Sequence, residues 1–310
     1  MICLVTGGAG FIGSHLCEGL LEMGEVICFD NFDPYYSPQL KEKNVEHLMH
    51  HPDFKLVRGS ILDKELLINL FENVDYVFHN AAQAGVRVSV EKPAKTHEVN
   101  VTGTLNVLEA AVDSGVSKVI NASSSSVYGK IRYLPFDEKH PLMPISPYGV
   151  SKLAAEQYCR VFHEIYGLKT ISLRYFTVFG PRMRPDLAIN IFTRKALKNE
   201  PIEIFGDGMK TRDFTYIENI LNANMLAVQK GHGEYNIGGG KRISINDMAL
   251  KIIEITNSSS KIAYMDSMKG DAEHTLANIT KAKDELGYIP DIDFMEGLER
   301  YVEWYKNKFQ

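Results

Sequence analysis

No apolar run in this chain approaches the roughly twenty residues needed to cross a bilayer, so no membrane partner is expected. Nor is there a strongly basic run. The balance of 34 Lys and Arg against 39 Asp and Glu leaves a net charge of −5, which argues against nucleic acid and anionic membrane surfaces as partners. A local basic patch for a small anion stays open. Cysteine is scarce: Cys3, Cys17, Cys28 and Cys159 form no C-x-x-C pair and all sit in apolar patterns. They read as reduced core thiols rather than a metal site or disulfides, so no metal is expected. Internal repeats and low-complexity tracts are absent as well. The chain opens MICLVTGG, already a strand and a turn, so no signal peptide is expected and the expected location is cytoplasmic.

What is present is an ordinary globular composition, 45% hydrophobic and 24% charged, on 310 residues, enough for one large domain or two modest ones. Short β-branched runs at 2–6, 25–29, 54–57, 74–79, 118–123 and 170–176 alternate with helical patterns at about 11–23, 38–50, 63–72, 93–114 and 148–167. Continuous apolar strands joined by helices predict an α/β fold, a doubly wound parallel sheet of Rossmann type. After RYFTVFGPR the alternation becomes irregular, with helix patterns at 187–199, 218–230, 244–257 and 294–308. We expect a nucleotide-binding domain over 1–176, with 213–239 returning to it. A smaller α/β substrate lobe is expected from 177–212 and 240–310.

The first strand runs into TGGAGFIGSHL, which places Gly7, Gly10 and Gly13 at three-residue spacing. A tight strand-to-helix turn, a bare backbone for a pyrophosphate and close helix packing all call for glycine there. The helix N-terminus then offers unpaired N–H groups to the phosphates. Alone, such a triplet is weak and reads equally as a structural turn. Here Phe11 and Ile12 begin an apolar helix, and Asp30 closes the second strand twenty residues after Gly10, about where a ribose-binding acid belongs. Asp30 would repel a 2′-phosphate, and DNF supplies no adjacent Arg or Lys, so NAD is expected over NADP.

In SPYGVSK, Tyr148 precedes Lys152 by one helical turn, roughly 40° around the helix. The pair alone is a frequent chance event. A phenol of reference pKa about 10 is a poor base at neutral pH. A nearby ammonium and a cationic nicotinamide would favour the phenolate. An apolar stripe of Val150, Leu153, Ala154, Val161 and Ile165 is expected to take the core side, leaving the pair elsewhere. Upstream, NASSSSVYG ends the fifth strand, and Ser124 there could hydrogen-bond the reacting oxygen and share its proton with Tyr148.

In order, TGGAGFIG, HNAAQAG, SSSSVYG, PYGVSK and RDFTYIEN resemble the extended short-chain dehydrogenase/reductase superfamily over essentially the whole chain. The likeness is greatest to its NAD-dependent nucleotide-sugar epimerases. The resemblance implies tightly held NAD, a UDP-sugar in the C-terminal lobe and a homodimer built from helices within 93–114 and 148–167. It implies catalytic roles for Ser124, Tyr148 and Lys152. It implies cofactor contacts from Gly7, Gly10, Phe11, Ile12, Gly13, Asp30, Asn31, Ile61, Ala81, Ala82, Gln83, Asn100 and Lys152, and an Arg212 contact to the substrate diphosphate. The implied chemistry is inversion at C4 through a 4-keto sugar, with Tyr148 taking the O4 proton and no net redox.

Two departures stand out. Ser60 lies where the family often has Asp, and Met268 with Lys269 where a second phosphate-binding Arg is usual. DNFDPYY, AAQAGVR and FTVFGPRMRPD resemble UDP-glucuronate 4-epimerases, which favours a hexuronate over a hexose. For a sugar carboxylate the candidates are Arg184, with Thr177, Ser125 and Ser126 as hydroxyl donors and Arg87 further out. Arg182 and Arg184 read equally well as loop or phosphate residues. Dehydratases of the family carry Asp-Glu where Ser125-Ser126 stand, and decarboxylases usually a Glu. A simple dehydrogenase or reductase and a non-catalytic NAD-binding regulator are the remaining alternatives.

Overall fold

The computed structural model describes residues 1–266 and 273–309. The chain begins β1 (Ile2–Thr6), α1 (Phe11–Leu20), β2 (Glu25–Asp30), α2 (Pro38–Val45), β3 (Phe54–Arg58), α3 (Lys64–Leu70) and β4 (Tyr76–His79). Helices α4 (Val86–Glu91), α5 (Pro93–His97) and α6 (Gly103–Asp113) lead to β5 (Lys118–Ser124), and the long α7 (Pro147–Tyr166) leads to β6 (Thr170–Tyr175). Within the expected 93–114 helix, a π-helical turn at Glu98–Thr102 separates α5 from α6. Helix α4 had no sequence signal, because VRVSVE alternates with the period of a strand.

Strands β1 to β6 form a wholly parallel sheet in the order β3–β2–β1–β4–β5–β6. Their near-continuous apolar character follows from cover on both faces. Leu4, Phe29, Val77 and Val119 share a core with Leu67, Val107, Leu108 and Phe162. Val5, Cys28, Phe78 and Ile120 share another with Leu16, Ile220 and Ala223. Each fully buried side chain of this size contributes roughly 1.5–3 kcal/mol. All four cysteines are buried free thiols. On either side of β1 lie β2 and β4, and such a switch point opens a crevice beyond the strand carboxyl ends.

The second half runs β7 (Thr177–Phe179), α8 (Ala188–Leu197), β8 (Ile202–Phe205), β9 (Thr211–Tyr216), α9 (Ile217–Gln229) and β10 (Gly233–Ile237). It ends with β11 (Arg242–Ser244), α10 (Ile245–Thr256), β12 (Ile262–Met265) and α11 (Phe294–Phe309). Strand β10 pairs parallel with β6 and so becomes the seventh strand of the large sheet. Strand β9 stays in a small sheet, between β7 and β11, along its whole length. A parallel pair of β8 and β12 stands apart.

Helix α7 corrects one expectation. Its buried residues are Gly149, Ser151, Lys152, Ala155, Glu156, Cys159 and Phe162. Val150 and Ile165, expected inside, are 55% and 69% exposed. The inward face is small and polar because it meets the carboxyl end of β5. A Cβ on Gly149 would come within 2.5 Å of the Ser126 carbonyl oxygen. Of the expected stripe, Leu153 packs against a buried cluster with Val127 and Phe136, whereas Val150 and Ile165 face outward.

Candidate active site

The glycine turn closes on itself at atomic distances. Gly7 has φ +67, where L side chains rarely go, and a Cβ on it would lie 2.8 Å from the Ala81 nitrogen. A Cβ on Gly13 would meet the Gly7 carbonyl oxygen at 2.1 Å. Helix α1 starts at Gly10 with no side-chain cap and no acid in its first turn. Its first N–H groups are thus left for an anionic ligand.

Gly7, Gly10, Phe11, Ile12, Gly13, Asp30, Asn31, Ile61, Ala81, Ala82 and Gln83 all line one open cleft, together with Tyr148, Lys152 and Arg184. Asp30 is buried and accepts from the Ala9 and Phe32 amides at 3.1 and 2.7 Å. DNF itself holds no cation, but one reaches Asp30 from further along the chain. Lys41 on α2, eleven residues on in the chain and itself buried, brings its Nζ to 3.6 Å from the Asp30 carboxylate. Asn80 also lines the cleft, and its buried Oδ1 has no hydrogen-bond partner among the described residues. Bare glycine backbone, an uncapped helix, an acid and an unmet acceptor in one cleft suit a dinucleotide.

Asn100, expected to touch the cofactor, is fully engaged elsewhere. Its Oδ1 accepts from the Gln83 amide at 2.7 Å, and its Nδ2 donates to the Gln83 carbonyl and, at 2.9 Å, to the Ser151 hydroxyl. The π-helical turn holds Asn100 behind the wall, where it fixes Gln83 rather than lining the cleft.

Of the three residues with implied catalytic roles, Tyr148 and Lys152 line the cleft, and Ser124 follows the lining residues Ala122 and Ser123 at the end of β5. Ser146 caps α7 by accepting from the Gly149 amide at 3.1 Å, and Pro147 fixes the first turn. That turn brings Tyr148 near Ser124, the last residue of β5, whose hydroxyl acts on the phenol. Burial raises the Tyr148 pKa, while the Arg184 charge and the Ser124 hydrogen bond pull it down. Arg184 thus joins Lys152 as a cation sharing the cleft with the phenol. Lys152 points its Nζ at the Ala122 carbonyl oxygen, 2.7 Å away, and burial lowers its pKa to about 8.

The expected substrate residues come from several elements. Ser125 and Ser126 form the turn after β5, and the Ser126 amide donates to the Ser124 hydroxyl at 3.1 Å. Thr177 begins β7, half-buried. Arg87 is exposed on α4, its guanidinium 5.7 Å from the centre of the Phe205 ring. Arg212 on β9 donates to the Thr211 and Glu273 carbonyls at 2.9 and 3.2 Å. Met268 and Lys269 lie outside the described residues. No metal-binding cluster of acids, His or Cys occurs among the described residues, and no helix there is long and apolar enough to cross a membrane.

Sequence reasoning missed Lys41, Tyr35, Glu156 and Asp186. Asp186 alone had a local signal, two residues from Arg184 in RPD. The others come near the site from neighbouring turns or across the sheet.

A sheet that switches direction at β1, with a glycine turn and a buried acid in one cleft, defines the Rossmann-type dinucleotide-binding class. Comparison with known proteins narrows it. A family model described as GDP-mannose 4,6-dehydratase matches residues 4–301. The UDP-glucuronate 4-epimerase of Thermodesulfobacterium geofontis is 40% identical, over 99% of this chain and 97% of its own. A putative UDP-glucose 4-epimerase of Methanocaldococcus jannaschii is also 40% identical, over 98% of each chain. Among solved structures, UDP-glucuronic acid 4-epimerase from Bacillus cereus, in complex with UDP-glucuronic acid and NAD, superposes with a TM-score of 0.95 at 37% identity, covering 100% of both chains. The chain belongs to that matched family, within the extended short-chain dehydrogenase/reductase superfamily and alongside its nucleotide-sugar epimerases.

Proposed function

We propose that this protein is an NAD-dependent UDP-sugar 4-epimerase, an isomerase, acting on UDP-glucuronate and UDP-galacturonate in preference to UDP-glucose and UDP-galactose. The observation that carries this reading is that Tyr148 and Lys152 line the same cleft as the glycine turn and Asp30. Full-length likeness to both UDP-glucuronate and UDP-glucose 4-epimerases supports it.

In this reading NAD, when bound, supplies reversible hydride acceptance at C4. Asp30 receives the adenosine ribose hydroxyls, and the α1 N-terminus receives the pyrophosphate. Lys152, held at the Ala122 carbonyl, is within the same pocket to hold the second ribose. Tyr148 takes the O4 proton and later returns it, with Ser124 fixing the phenol. Ser125 and Ser126 offer hydroxyls, not the acid that elimination of water from C5–C6 requires, so a dehydratase is disfavoured. Arg212 faces the diphosphate. Arg184, beside Tyr148, together with Thr177 accounts for a sugar carboxylate, and Arg87 closes the outer side. We further propose two lobes as given above, with the return to the large sheet made by α9 and β10 rather than from residue 213, a homodimer and a cytoplasmic location.

The direct test is to incubate the protein separately with UDP-glucose, UDP-N-acetylglucosamine and UDP-glucuronate and to resolve the C4 epimers by chromatography. UDP-galacturonate should form from UDP-glucuronate with no net absorbance change at 340 nm. Tyr148→Phe should lower turnover by about 10²–10⁴-fold. A stoichiometric rise at 340 nm would instead identify a dehydrogenase, and an unaffected Phe variant a non-catalytic binder.

A further inference from the structure

Arg184 lines the cleft together with Tyr148, and it is already engaged. Its guanidinium makes a two-pronged contact with Asp186, Nε to Oδ1 at 2.9 Å and Nη2 to Oδ2 at 3.1 Å. The same Oδ2 accepts from the Tyr35 hydroxyl at 2.9 Å, and the guanidinium carbon lies 5.5 Å from the centre of the Tyr35 ring. Tyr35 follows β2, whereas Arg184 and Asp186 lie between β7 and α8, so two distant segments are joined at the cleft. Gly85, at φ +100, makes room for this, since a Cβ there would come within 2.6 Å of the Tyr35 hydroxyl.

A two-pronged carboxylate on an arginine is the geometry that a sugar carboxylate would adopt. A cation in a sheltered site needs an anion beside it whether or not the bound sugar carries one. Asp186 meets that need, and the contact is open to water, with the Arg184 and Asp186 side chains 21% and 41% exposed. Partly solvated ion pairs are weak and exchange readily, which a locked buried pair would not do.

We propose that Asp186 is a specificity-determining residue, a resident carboxylate that occupies Arg184 until the carboxylate of an acidic sugar displaces it. With a neutral hexose, Arg184 stays on Asp186 and no unpaired charge is left. With a hexuronate, the incoming C6 carboxylate takes the guanidinium, and Asp186 turns to water while still accepting from Tyr35. The preference between acidic and neutral sugars is then set by the competition of two carboxylates for one arginine. This rests on the reading that the site takes UDP-hexuronates.

The test is calorimetric titration of the NAD-loaded protein with UDP-glucuronate and with UDP-glucose, for the parent, Asp186→Asn and Asp186→Glu. Asp186→Asn keeps the shape and removes the competing charge. It should tighten UDP-glucuronate by about tenfold while UDP-glucose stays within about twofold, and Asp186→Glu should keep the parent's ratio. A parallel change for both sugars would mean a merely structural role and overturn the proposal, as would weaker binding of UDP-glucuronate by the Asn variant. Turnover is scored separately by the chromatographic assay. If the parent does not epimerise UDP-glucuronate, the substrate reading fails, while the titration still decides whether Asp186 competes for Arg184.

Discussion

At the scale of single residues, the chemistry turns on which charges face the Tyr148 oxygen. The phenol is pushed up by burial and drawn down by Arg184 and by the Ser124 hydrogen bond. The sign of a pH effect follows directly. Only the ionised phenol can take the O4 proton, so the rate rises with pH through the Tyr148 pKa. Removing Ser124 removes a group that lowers this pKa, and the rising limb moves to higher pH. Ser124→Ala should therefore show an alkaline shift of the log kcat/KM profile. Its plateau should fall about 10- to 100-fold, the worth of one hydrogen bond to a charged group. An unmoved limb would mean that Ser124 does not act on the phenol. Local spacing made Tyr148, Lys152 and Ser124 visible in the sequence, because a helical turn and a strand end are properties of neighbouring residues. The partner cation was not visible, because Arg184 is thirty-six positions from Tyr148 and only the fold brings them together.

At the scale of elements, α7 and β5 are fastened by a buried ionic network behind the site. Arg174 on β6 donates from Nε and Nη2 to the Glu156 carboxylate at 2.9 and 2.8 Å, and from Nη1 to the Tyr128 hydroxyl at 3.0 Å. Glu156 also accepts from the hydroxyl of Ser123, between Ala122 and Ser124. The pair is almost wholly excluded from water, with exposures of 2% and 0%. Breaking such a pair leaves an uncompensated charge and costs about 3–5 kcal/mol, whereas replacing both members by apolar groups can be near neutral. Glu156→Gln should lose that much in urea unfolding, and Glu156→Met with Arg174→Met should recover most of it. A Gln variant within about 1 kcal/mol of the parent would contradict a tightly coupled pair. The sequence marked both elements but not this pair. A Glu one turn after Lys152 reads as an outward-facing charge until β6 is packed beneath it.

At the scale of the whole molecule, the side of α7 turned away from the core is apolar and open. Val150, Tyr158 and Ile165 are 55%, 37% and 69% exposed, and with Ala154 and Val161 they form one stripe at helical spacing. A stripe of this kind suits a helix-to-helix dimer contact. Under the proposed homodimer, Val150→Lys with Ile165→Lys should yield monomers in sedimentation equilibrium. A parent protein that sediments as a monomer would remove the proposal. The alternation of β1 to β6 with most of their helices, the glycine turn and the Tyr148–Lys152 spacing were legible in the chain alone, because each depends on residues within a turn or a strand of one another. Tertiary structure alone decided that Lys41 sits on Asp30, that Asn100 lies behind the cleft wall, and that Arg184 is held by Asp186. It also decided that α7 buries its polar face. These depend on distances between segments far apart in sequence, and electrostatic and hydrogen-bond energies follow distance and burial, not sequence spacing.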